Sequence, residues 1–269
     1  MEYFRVKKAS DRVFRITDPF GSICTLIIGS RNALLADTGI GFGNIAAAIK
    51  NFTDLPVIVV NTHEHLDHSM GGRFFDKIYM HRKCMEYIPL RNSHSYRQRV
   101  LDLYMPKGPV PGFSAEEYLS YDYSNVCCAD DHEVFDLGDI RAELIPLPSH
   151  TPGSAGILLH ELELLLTGDS IAPLTSLMFE ESATPTEHAL LLEDIKKYKF
   201  GYMLCAHSEK AMERSFLDVF IRFADDLSSA ESYRYRDSIY PEIKARTFIY
   251  NDISGESAAF ILRQDKEEK

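Results

Sequence analysis

The chain has 269 residues, enough for one large domain or two small ones with a substantial buried core. Its 45% apolar and 26% charged residues are the composition of an ordinary globular protein. A formal net charge of −11 argues against a nucleic-acid or anionic-membrane surface, which needs a basic field, so a small-molecule partner is expected instead.

The first ten residues lack an apolar stretch of signal-peptide length, and no run approaches the roughly 20 apolar residues of a membrane helix. Five cysteines, Cys24, Cys84, Cys127, Cys128 and Cys205, stand at no disulfide-like spacing. Together these features point to a reducing cytoplasm, with the adjacent Cys127 and Cys128 read as idle thiols.

In chain order, residues 12–16, 23–28 and 33–35 read as short apolar strands separated by turns at Pro19–Gly21 and Ser30–Asn32, an antiparallel start to a sheet. Residues 41–52 carry Ile45, Ala48 and Ile49 on one helical face. A strand over 57–61 follows. Three later apolar runs each end just before a potential ligand: 140–147 before His150, 162–166 before Asp169, and 202–206 before His207. Open α/β sheets build their sites at such strand ends.

Thr184, Pro185 and Glu187 form a capping-box pattern for a helix running to about Lys197. Met212, Phe216, Val219, Phe220, Phe223 and Leu227 recur at helical spacing as core contacts. Residues 244–250 and 258–262 flank Ser254 and Gly255 as a terminal hairpin, and 264–269 read as a charged tail. No repeat or linker interrupts the chain, so a single domain over 1–269 is expected. Residues 82–125 lack strand alternation and are rich in tyrosine. They read as a helical insert over the sheet ends, forming a lid or wall that governs substrate choice. From Arg82 to Lys107 the insert carries six basic residues against Glu86 and Asp102, a local +4 that reads as a solvated helical face or as a clamp for an anionic substrate.

The strand over 57–61 ends in His63, Glu64, His65, Leu66, Asp67 and His68. Of ten histidines in the chain, three fall within these six positions, which is improbable for a chance polar loop. Such a cluster delivers neutral nitrogens and an oxygen to one point, the ligands zinc prefers at about 2.0–2.2 Å. His63 and His65 share a side in an extended segment, while Asp67 and His68 can turn toward a second ion.

The run from Thr62 to His68, with Gly71 and Gly72, resembles the signature of the metallo-β-lactamase superfamily. Asp37 to Gly39 is similar to that family's first motif. Ser149 to Ser154, Thr167 to Ser170 and Cys205 to Ser208 resemble its third, fourth and fifth. The resemblance implies an α/β fold in which an αββα four-layer sandwich holds two divalent metal ions, with zinc expected and manganese or iron as substitutes. His63, His65 and His150 would hold one ion and Asp67, His68 and His207 the other, with Asp169 bridging. Asp37 would be a buried acid orienting the histidine loop. His81, His94, His132, His160 and His188 match no motif and are assigned to surface or core.

The activity implied is hydrolysis. Metal coordination lowers the pKa of water from about 15.7 toward ~7, and a metal-bridging hydroxide then attacks a carbonyl. Asp67 is the candidate catalytic proton carrier. Asp169 in place of cysteine, with the Asp67–His68 pair, is similar to glyoxalase II and lactonase-like members, so a thioester or lactone is the expected substrate. Ala172 departs from quorum-quenching lactonases, which carry tyrosine there, and no basic C-terminal segment for glutathione is evident. The alternatives are a phosphodiesterase on the same metal pair and a non-catalytic metal-stabilised binding protein.

Overall fold

The computed structural model describes residues 3–105, 110–251 and 257–264. Seven strands form the first sheet in chain order: β1 (Arg5–Lys8), β2 (Val13–Thr17), β3 (Ile23–Ile28), β4 (Ala33–Ala36), β5 (Val57–Asn61), β6 (Ile78–His81) and β7 (Val126–Ala129). Pairing is antiparallel from β1 to β4 and parallel from β4 to β7.

The second sheet starts with antiparallel β8 (Val134–Asp136), β9 (Arg141–Pro146), β10 (Ala155–Leu159) and β11 (Leu164–Gly168). The chain then leaves this sheet for β12 (Leu174–Leu177) and returns as β13 (Tyr202–Cys205), parallel to β11 and followed by β14 (Met212–Glu213). A third sheet has the order β12, β17 (Ser257–Arg263), β16 (Ala245–Asn251) and β15 (Glu231–Tyr235).

Strand alternation sorts the apolar side chains into layers. Ile27, Leu34 and Val60 of the first sheet pack against Leu144, Ile157 and Leu166 of the second. Their neighbours Leu26, Leu35 and Val59 face the other way, onto Ile45 and Ile49 of α1 (Ile45–Ile49). On the far side, Leu158, Leu165 and Met203 meet α6 (Pro185–Ile195), α7 (Phe216–Asp225) and Phe260 of β17. Helix, sheet, sheet and helix therefore lie in the expected four-layer order.

The capping box is present: Thr184 Oγ1 accepts from the Glu187 amide, and Glu187 Oε2 accepts from the Thr184 amide. Two helices are shorter than their apolar patterns suggest. Before α1, Gly41 has φ +80°, and a Cβ there would lie 2.6 Å from the Met70 backbone, so 41–44 follows the ligand loop instead of coiling. Met212 pairs with Met203 as a strand, and the last helix therefore begins at Phe216. The terminal hairpin forms as β16 and β17. Its turn at Ser254 and Gly255 and the tail after Gln264 lie outside the described residues. Neither β12 nor β15 was expected. No helix among the described residues is long and apolar enough to cross a membrane.

The insert is helical, with α3 (Cys84–Arg91), α4 (His94–Tyr104) and α5 (Ala115–Ser120). Between β5 and β6, α2 (Leu66–Ser69) carries two of the motif residues, Asp67 and His68.

Candidate metal centre

All seven candidate ligands converge where loops leave β5, β9, β11 and β13. His63, His65 and His150 have ligand atoms within 4.8 Å of one another, as do Asp67, His68 and His207, and His63, His68 and Asp169. The histidines of the β5 loop are fully or nearly fully buried.

The second cluster has a geometry that hydrogen bonding does not explain. His207 Nε2 lies 3.2 Å from Asp67 Oδ2, 3.3 Å from Asp169 Oδ2 and 3.3 Å from His68 Nε2. His68 Nε2 is 3.4 Å from both carboxylates. Ligand atoms ~2.0–2.1 Å from a tetrahedral ion are roughly 3.3–3.4 Å apart. The residues present therefore fit a metal. At the first cluster His150 Nε2 lies 2.9 Å from His65 Nδ1, and His63 Nε2 is buried without a partner among the described residues. Asp169 Oδ1 is likewise buried and unpaired.

Partners on the other ring nitrogens fix the tautomers. The His150 Nδ1 proton goes to the Ser176 carbonyl at 2.6 Å. His68 Nδ1 donates to Asp37 Oδ2 at 3.0 Å. Thr62 Oγ1 donates to Asp37, which leaves it as acceptor for His63 Nδ1 at 3.1 Å. In each ring Nε2 then keeps its lone pair for an ion. Asp37, which also accepts from the Thr62 amide at 2.7 Å, thus bonds His68 directly and reaches His63 through Thr62. It does so from φ 63°, a left-handed backbone that aspartate tolerates better than most residues. Gly168, just before Asp169, has φ +53°, and a Cβ there would lie 2.6 Å from Thr62 Oγ1. This crossing of the two sheets admits only glycine.

Burial, reinforced by neighbouring imidazoles, pushes the pKa values of His63 and His65 well down and keeps the rings neutral, the form that binds metal. In the second cluster burial is opposed and overcome. His68 and His207 hold Asp67 and Asp169 well below the usual carboxylate range, and the two acids hold those imidazoles high in return. The cluster favours positive charge at its centre. Glu64, between the first two histidines, is pushed up to about 7 by burial, and its Oε2 accepts from Thr151 Oγ1 beside His150.

A cleft of about 540 Å³ opens onto Asp67, His150, Asp169 and His207. Its walls are mainly apolar: Phe20, Leu174, Met178, Phe179, Ile239 and Tyr240. No lysine or arginine and no residue of 82–125 lines it among the described residues. The insert packs behind the wall instead of forming it. Arg91 pairs with Glu181 at 2.5 Å and stacks on Phe179 at 4.2 Å, and its carbonyl accepts from the Tyr240 hydroxyl. Arg97 donates to the Leu119 and Tyr121 carbonyls, and Arg99 to that of Ile239. Arg82 pairs with exposed Asp130. Four of the six basic residues, Arg82, Arg91, Arg97 and Arg99, are thus spent on contacts within the protein, and the inference of an anionic substrate loses its basis. Asn92 and Tyr123 brace the ligand loop: Asn92 Nδ2 donates to the Glu64 carbonyl at 2.5 Å, and Tyr123 bonds Ser69 at 2.8 Å.

Sequence reasoning missed Ser22, whose hydroxyl donates to Asp67 Oδ2 at 3.1 Å, and the wall residues Phe179 and Tyr240, which pack on the His65 ring. Ser22 sits in a turn that gave no signal. The wall residues are apolar and look like core.

A sequence model of the metallo-beta-lactamase superfamily matches residues 17–207. The acyl-coenzyme A thioesterase MBLAC2 of Bos taurus is 26% identical over 190 residues, covering 64% of this chain and 67% of the relative. Among solved structures, the sec-alkylsulfatase Pisa1 from Pseudomonas sp. superposes with a TM-score of 0.63 at 17% identity, over 83% of this chain but only 42% of that protein. DIM-1 metallo-beta-lactamase gives 0.59 at 15% identity, over 84% of this chain and 98% of the enzyme. At such identities the structural likenesses speak to fold alone. The sequence match runs over most of the chain, and the fold agrees with it: the chain belongs to the metallo-beta-lactamase superfamily and is a hydrolase of that family.

Proposed function

We propose that the chain is a dinuclear metal-dependent hydrolase of thioesters that carry an apolar, uncharged acyl group. The observation that carries this reading is a metal-ready cluster at the floor of an apolar cleft without a lining cation. The relative named as an acyl-coenzyme A thioesterase supports the reaction class. His63, His65 and His150 would hold one ion, Asp67, His68 and His207 the other, and Asp169 would join the two. Divalent ions bound there, zinc by preference for this donor set, would supply a hydroxide nucleophile at neutral pH and polarise the substrate carbonyl.

The protein's own groups account for the rest. Asp37 and the Ser176 carbonyl keep the imidazoles aimed inward. Asp67 faces the cleft with its Oδ2 steadied by Ser22, where as a carboxylate it would take the proton of the attacking hydroxide and pass it to the departing thiolate. Phe179 and Tyr240 cover His65 and keep water from one side of the centre. The acyl chain lies along Leu174, Met178 and Ile239. A lactone fits the same cleft. A phosphodiester fits less well, because its charge would meet no basic side chain among the lining residues.

The test is a panel of acyl thioesters of increasing chain length, lactones, a β-lactam and phosphodiesters. The reading requires kcat/KM to be highest for a thioester and to rise with chain length. A preference for phosphodiesters, or for short charged acyl groups, would overturn it.

A further inference from the structure

His207 is held differently from the other candidate ligands. Its side chain is 37% exposed, whereas those of His68 and His150 are 0% and 4% exposed. His63, His68 and His150 each have a second ring nitrogen tied to Thr62, Asp37 or the Ser176 carbonyl. The His207 ring has hydrogen-bonding contacts only with the other ligands, among the described residues. Its aim must therefore come through its backbone.

That backbone is gripped from the first sheet. Arg15, on β2, is 2% exposed and sends one guanidinium nitrogen to the carbonyls of both Cys205 and Ser208, the second at 2.9 Å. Its other terminal nitrogen donates to Thr25 Oγ1, directly across the β2–β3 ladder, at 3.0 Å. Between the two gripped carbonyls, that of Ala206 accepts from the Ile23 amide at 2.8 Å. Carbonyls on both sides of His207 are thus pinned by one guanidinium nitrogen, while the other terminal nitrogen of the same plane ties the group to β3. An ammonium group, a point charge on a flexible stem, lacks the second nitrogen that anchors the plane to Thr25 while the first holds both carbonyls.

The placement carries a cost that packing alone does not explain. Burial works against the Arg15 charge, and the side-chain contacts it makes among the described residues are to neutral oxygens. A cavity of about 10 Å³, near the size of one water, touches Arg15, Asp37, Thr62 and Cys205. The guanidinium therefore borders both the His207 loop and the acid that orients His63 and His68.

We infer that Arg15 is a positioning residue for the metal held by Asp67, His68 and His207, acting through the backbone on either side of His207. This inference rests on the two-ion reading above, and the test separates the two. Zinc binding is measured by competition with a chromophoric chelator, with Tm recorded in parallel, for wild type, Arg15→Met, Arg15→Lys and Leu26→Ala. Leu26 is buried on the outer face of the first sheet, away from the centre, and Leu26→Ala serves as a destabilised control. Arg15→Met should keep one tight ion and bind the other about 10–100-fold more weakly, the scale seen when a group supporting a ligand is lost. Arg15→Lys should fall between it and wild type. Leu26→Ala should lower Tm and bind both ions normally.

Two ions held at wild-type affinity in either folded Arg15 variant would overturn the inference. So would an equal weakening in Leu26→Ala, which would mark the effect as general loosening. If Arg15→Met does not fold, Arg15→Lys decides by the same criterion. A wild-type protein that binds fewer than two ions would contradict the two-ion reading itself, and this inference with it.

Discussion

His68 Nε2 and His207 Nε2 face each other at 3.3 Å from loops of two different sheets. The other nitrogen of His68 is bound to Asp37, which turns its Nε2 toward His207 Nε2, and the carboxylates of Asp67 and Asp169 lie alongside both. Nothing in the protein placed between them would satisfy all four atoms. A divalent cation would.

Removal of single ligands should therefore divide the site. His63→Ala should lose the ion of the first cluster and retain part of the second, whereas Asp169→Ala should weaken both, because its oxygens face both clusters. Elemental analysis after dialysis should give about one ion and less than one, respectively, against about two for wild type. Equal, full metal content in both variants would exclude these ligands.

Arg91 was legible only as a positive charge. The structure shows a buried bolt that joins the insert to Glu181, Phe179 and Tyr240 behind the cleft wall. Arg91→Met leaves Glu181 buried and unpaired and should cost about 3–5 kcal/mol in urea unfolding. Adding Glu181→Leu should recover much of that loss. A cost below about 1 kcal/mol for the single change would show that the pair is solvated.

His188 supplies a pH dependence separate from the metal centre. Its ring is buried between Phe220 and Phe260 with both nitrogens unpaired among the described residues, and burial pushes its pKa down to about 3. The unfolded chain binds this proton near pH 6.5 and the folded chain does not. Stability is therefore complete above 6.5 and falls as pH drops toward 3, by about 2 kcal/mol at pH 5. Metal-free His188→Leu should gain that amount over wild type between pH 7 and pH 5. A stability difference independent of pH would refute the assignment.

The apolar wall predicts the effect of a charge placed in it. Leu174 is half exposed at the cleft edge, and Leu174→Lys should lower kcat/KM for a long neutral thioester by roughly tenfold, equivalent to ~1.4 kcal/mol of lost apolar contact. Short acyl groups should be little affected. An equal loss for both would place the acyl chain elsewhere.

The candidate ligands were readable because each lies just past an apolar run, a local pattern that survives without knowledge of long-range contacts. Asp37 was readable as a motif, although its double role with Thr62 and His68 was not. The cleft was hidden for a different reason. Its wall comes from β12 and the segment after β15, which the third sheet brings together through a parallel pairing of Leu174 with Ala259. That contact spans far more chain than any periodicity reports. Charge counting failed in the insert because Arg91, Arg97 and Arg99 use their donors on Glu181 and on backbone carbonyls. Arg15 gave no signal of its own within the short apolar strand read over 12–16.

The most direct test is a zinc titration of metal-free protein, from zero to three equivalents, while hydrolysis of a long-chain acyl thioester is followed. Activity should be absent with chelator present and should rise to a plateau near two equivalents, with His63→Ala inactive throughout. Full thioesterase activity in excess chelator, or wild-type turnover by His63→Ala, would contradict the account.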